Sequence, residues 1–79
     1  MAHRASSMFQ KAQEFTETTY SGSLSMMAFL ERALENIPQG TALGENTAGL
    51  LMRAQQVNRE LAALRHDLSR LAEATSSQE

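Results

Sequence analysis

Leu50-Leu-Met-Arg-Ala-Gln-Gln-Val-Asn-Arg-Glu-Leu-Ala-Ala-Leu-Arg-His-Asp-Leu-Ser-Arg-Leu71 places an apolar residue every three or four positions, and the ladder continues on both sides. In full it runs Leu43, Thr47, Leu50, Ala54, Val57, Leu61, Leu64, Leu68, Leu71, Thr75. This is the heptad spacing that gives a helix one continuous seam for another helix. With Ala54, Leu61 and Leu68 at position a, position d holds Leu50, Val57, Leu64 and Leu71. The e positions are then Leu51, Asn58, Arg65 and Ala72, and the g positions Arg53, Glu60, Asp67 and Ala74. In a parallel pair Glu60 faces Arg65. In an antiparallel pair g meets g, so Arg53 faces Glu60 or Asp67. Such rim pairs are worth about 0–1 kcal/mol each and bias orientation without deciding it.

Outward from this stretch, the one proline, Pro38, lies beside Gly40 in Asn36-Ile-Pro-Gln-Gly-Thr41. Proline disfavours helix at the residue before it, and glycine commonly follows a helix end. The break at 38–40 divides a single small domain, 1–79, into a first arm, 4–37, and a heptad helix, 41–74. Thr41 or Thr47 caps the second arm, depending on how Gly44 and Gly49 are tolerated. As a helix this arm is about 50 Å long. The tail 75–79 has no apolar residue and is expected to be flexible.

The first arm shows Ala5, Met8, Ala12, Phe15 and Thr19 at the same spacing, then Thr18-Thr-Tyr-Ser-Gly-Ser23, a run of poor helix formers. A break near 20–23 is therefore expected, with a new helix carrying Leu24, Met27, Leu30, Leu34 and Ile37 on one stripe and Met26, Phe29 and Ala33 beside it. The predicted architecture is all-α: an antiparallel helical hairpin, or a short three-helix arrangement, with a coiled-coil-like C-terminal helix and a tendency to oligomerise. Charge favours pairing of the arms. Residues 10–45 carry Lys11 and Arg32 against five glutamates, and residues 49–72 carry four arginines against Glu60 and Asp67.

Composition narrows the function classes. A chain of 79 residues buries only about 60% of the surface its unfolded form exposes, and with no cysteine neither disulfides nor thiolate-bound zinc stabilise it. Oligomerisation or docking on a partner is the remaining device. A net charge of −2 argues against nucleic acid or an anionic membrane as main partner, and no apolar run approaches a membrane span. Gln10, Lys11, Gln13 and Glu14 interrupt any signal-peptide core, so the expected location is the cytoplasm, with secretion lacking a cleaved signal as the other route.

Catalytic, cofactor and metal motifs are missing from the sequence, and no enzymatic role, cofactor or metal is expected. Arg65-His66-Asp67 points its imidazole and carboxylate different ways around a helix, and Glu31 and Glu35 read as a solvated face. The expected function is protein–protein interaction, as an adaptor, small chaperone or assembly subunit, with itself or a helical protein as partner. The interaction seam is Leu50, Ala54, Val57, Leu61, Leu64, Leu68 and Leu71, with Leu51, Met52, Met26, Met27 and Phe29 as further partner-facing positions. Five methionines read first as gap-fillers in a core with three phenylalanines and no tryptophan, and second as a surface that adapts to its partner, with Met52 at an outer f position the one expected to face it. The reading from another class is a small dimeric regulator that binds nucleic acid through the weak basic face of Arg59, His66 and Arg70. Glu60, Asp67 and Glu73 interrupt that face. On this assignment, Leu64→Asp dissociates the oligomer and unfolds the chain.

Overall fold

The computed structural model describes residues 2–77, with side chains from residue 4 onward. Two helices, α1 (Ala2–Glu35) and α2 (Ala42–Ser77), account for the described residues outside one short connection. They pack side by side as an antiparallel hairpin measuring 58 × 14 × 13 Å.

The connection obeys the local chemistry of its residues. At the end of α1 the amides of Asn36 and Ile37 bond back to the carbonyls of Ala33 and Leu34, a tightened last turn. Pro38 then stops the helix, and Gly40 takes the left-handed conformation (φ 78°) that reverses the chain. Thr41 is the cap of α2: its Oγ1 accepts from the Gly44 amide (3.1 Å) and donates to the Pro38 carbonyl (2.8 Å). Gly44 is needed for closeness, since a Cβ there would lie 3.2 Å from Thr41 Oγ1 and 3.4 Å from the Pro38 carbonyl. Thr41→Ala removes both bonds and should cost about 1 kcal/mol. Thermal melting followed by circular dichroism should then show a midpoint about 5 °C lower.

The expected break near residues 20–23 does not occur: α1 runs unbroken through Gly22, so the arrangement has two helices, not three. The threonines that lower helix propensity are accommodated by bonding to their own helix, Thr16, Thr18 and Thr19 donating to the carbonyls of Ala12, Glu14 and Phe15. Gly22 is carried at a cost of about 1 kcal/mol because packing against α2 continues on both sides of it. The tail is shorter than expected too. Thr75, Ser76 and Ser77 belong to α2, and residues 78–79 lie outside the described ones.

Burial defines the seam between the helices. On α1 the covered positions include Ser6, Phe9, Gln13, Thr16, Tyr20, Ser23, Met27, Leu30 and Leu34, again in steps of three and four, and Ile37 continues the row just past the helix end. On α2 they include Thr47, Leu51, Ala54, Asn58, Leu61, Leu68 and Ala72. Between residues 5 and 19, then, the apolar ladder read from the sequence is not the one that packs. The inward row there is largely polar, and three polar pairs bridge the two helices along the seam. Gln13 Nε2 donates to Ser69 Oγ (3.2 Å) and Asn58 Nδ2 to Ser23 Oγ (3.3 Å). Arg65 pairs with Glu17 and lies 5.0 Å from the centre of the Tyr20 ring. The Glu17 hydrogen bond and charge raise the Arg65 pKa further above its ordinary value. In these three pairs the residue numbers add to 81 or 82, so they fix one antiparallel register.

This core is thin. Among the described residues the buried ones are Ala54, Ala72, Ser6, Thr16, Ser23 and Thr47, and no large side chain is fully enclosed. The accessible surface is 6052 Å². A compact protein of this mass exposes about 4,700 Å². Much of the apolar surface is therefore left outside.

Candidate interaction face

The seam read from the sequence is split by the fold. Its a positions, Ala54, Leu61 and Leu68, turn toward α1 together with the e positions Leu51, Asn58 and Ala72. Its d positions stay outside: Leu50, Val57, Leu64 and Leu71 are between 46% and 54% exposed, and Leu43 is 63% exposed. Leu43, Leu50, Val57, Leu64 and Leu71 are seven residues apart at every step, so they form a row about 42 Å long that winds slowly along one side of α2.

The register sets a second row beside this one. Met26, Leu30, Leu50, Arg53, Ala54 and Val57 line an apolar groove of about 340 Å³ between the helices. Extended along the hairpin, the same offset puts Ala33 beside Leu50, Thr19 beside Leu64 and Ala12 beside Leu71. Farther around α1 on that side stand Met8, Phe15 and Phe29, 62–73% exposed, with Gly22 completing their seven-residue spacing. The result is a face built from both helices, with Leu, Val, Met and Phe on it and Arg53, Glu60 and Asp67 along its α2 rim. Isolated exposed apolar residues are ordinary; here they align along the hairpin on one face.

The opposite flank has the other character. Its largest concavity, about 470 Å³, is lined by Gln10, Gln13, Ser69, Glu73 and neighbouring small residues, and the next along it by Glu17, Arg65, His66 and Ser69. That flank is polar around these residues, while Leu24 and Met52 stand exposed off the apolar face. No family model, curated protein or solved structure matches the chain. The face is interpreted from its own geometry.

Among the further positions expected to meet a partner, Phe29 and Met26 lie on this face. Met52 is 69% exposed but points away from both the face and α1. Leu51 and Met27 are half-buried in the seam between the helices and are taken up by the hairpin itself. Arg59, His66 and Arg70 are exposed on the outer side of α2, where Arg59 donates to Gln56 Oε1 (2.7 Å). The sequence reading missed Met8 and Phe15 as partner-facing residues. Their signal was the strict period of seven through residues 8, 15, 22 and 29, visible only once α1 is continuous. Among the described residues no helix is long and apolar enough to cross a membrane.

Proposed function

We propose that this chain is a non-catalytic protein–protein interaction module, an adaptor, chaperone or assembly subunit that works through the apolar face of a helical hairpin. The observation that carries the reading is the exposed row Leu43, Leu50, Val57, Leu64, Leu71, at heptad spacing on a helix whose a positions Ala54, Leu61 and Leu68 are already turned toward α1. Helices recognise helices through such rows, because side chains at this spacing interlock along a continuous line. The second row on α1 widens the line into a groove-bearing surface suited to more than one helix at once.

The test is photo-crosslinking in cells that produce the chain, with a benzophenone amino acid placed singly at Val57, at Leu64, or at Gln10 on the polar flank. Protein adducts at Val57 and Leu64 and few at Gln10 are expected. Equal labelling at all three positions, or none at Val57 and Leu64, would remove the basis for this reading.

A further inference from the structure

Resting on the interaction reading, we propose that the face is covered by a second copy of the chain. Two hairpins stack face to face about a twofold axis at the level of Val57 and Met26, giving an antiparallel four-helix bundle.

Area comes first. The hairpin exposes about 1,300 Å² more than a compact protein of its mass. A standard interface removes about 800 Å² per partner. The surplus on this one elongated chain is therefore enough for a stable dimer, and a twofold contact needs only one self-complementary patch.

Self-complementarity is present in the rows. The α2 row is symmetric about Val57: with the copies antiparallel, Val57 meets Val57, Leu50 meets Leu64, and Leu43 meets Leu71. On the rim this register brings Arg53 of each copy to Glu60 of the other, twice per dimer. Among the described residues neither has an ion-pair partner in its own chain. Sliding one copy by a heptad one way sets Arg53 against Arg53; sliding it the other way brings Arg53 to Asp67 but sets Glu60 against Glu60, so the proposed register is the one that pairs opposite charges with no like-charge contact.

The same axis has a consequence on α1. Met26 meets Met26, and Phe29 arrives at Gly22 of the other copy. A Cβ on Gly22 would meet nothing within 4 Å in its own hairpin, so that glycine is open space facing outward. The bulky exposed ring and the gap seven residues away from it become knob and hole. Placing α2 over α1 instead would lay Arg53, Glu60 and Asp67 across Phe29, Gly22 and Phe15, with no opposite charge to meet.

Three measurements on the full chain decide the matter. Light-scattering mass should give two chains. Arg53→Glu and Glu60→Arg, both exposed rim changes, should each weaken the dimer about tenfold, and the double swap should return affinity to within about twofold of the original. Because the chain has no cysteine, single-cysteine probes are clean. Val57→Cys should oxidise readily to a covalent dimer. Leu64→Cys should not, since its counterpart in the other copy lies about 21 Å along the axis. A helical monomer at high concentration would overturn self-pairing and leave the interaction reading to its cellular crosslinks. A dimer indifferent to the charge swap, or one in which Leu64→Cys crosslinks to itself, would overturn the proposed packing.

Discussion

Leu61→Asp should abolish the helical circular-dichroism signal, while Leu64→Asp, three residues away on the same ladder, should keep it. The two leucines sit at equivalent steps of one heptad seam and differ only in where the hairpin turns them. Leu61 packs toward α1, so an aspartate there brings a carboxylate into the seam, where Arg65 one turn on is already paired with Glu17, at a cost of several kcal/mol. A core with no fully enclosed large side chain cannot absorb that loss. Leu64 is half exposed on the outer row. Its aspartate stays hydrated within the hairpin, so unfolding, expected from the ladder alone, moves to Leu61, and Leu64→Asp should act on association. Far-UV spectra and light-scattering mass on both variants check this: loss of helix only in the first, loss of mass only in the second.

Ser23→Ala combined with Asn58→Leu should raise the melting temperature yet blur the register. The pair is a hydrogen bond in the middle of the seam, where half-buried polar groups gain little net energy because they give up water to meet each other. Filling the same place with methyl groups adds apolar burial, and a gain of about 1–2 kcal/mol is expected. What is lost is one of three interactions that make the two helices meet at a single offset, together with Gln13–Ser69 and Glu17–Arg65. Polar residues in a helical seam are the best-attested means of choosing one register among several. Cysteine pairs placed across the seam, at the native offset and one heptad away, should crosslink only at the native offset in the original chain and at both in the variant.

The helical hairpin and its turn were legible because their signals are local. Pro38, Gly40 and Thr41 each act within a few residues, and the α2 ladder is long enough to define its own period. The first arm was harder. Its threonines and Gly22 carry a true propensity cost, but that cost is smaller than what continuous packing on α2 supplies, and the sequence states only the first. The site was legible as a set of residues and not as a surface. A 4–3 ladder names two rows, a and d, without saying that the chain's own partner takes a and e. Only the register, fixed by Gln13, Glu17 and Ser23, shows that d is left over and that Met26 and Phe29 stand next to it.

The uneven seam gives the hairpin a weak end and a strong end. Near the turn α1 contributes Met27, Leu30 and Leu34, with Ile37 just beyond it; toward its start it contributes Ser6, Gln13 and Thr16, among Phe9 and Tyr20. Opening should therefore begin far from Pro38 and run toward it like a zip, with amide exchange fastest in residues 4–16 and 66–77 and slowest around 27–34. When the open end peels back, Leu61 and Leu68 rejoin Leu64 and Leu71, and the bare half of α2 presents both rows of its heptad at once. The loosened molecule is then an unclaimed coiled-coil strand, ready to exchange its own first helix for another.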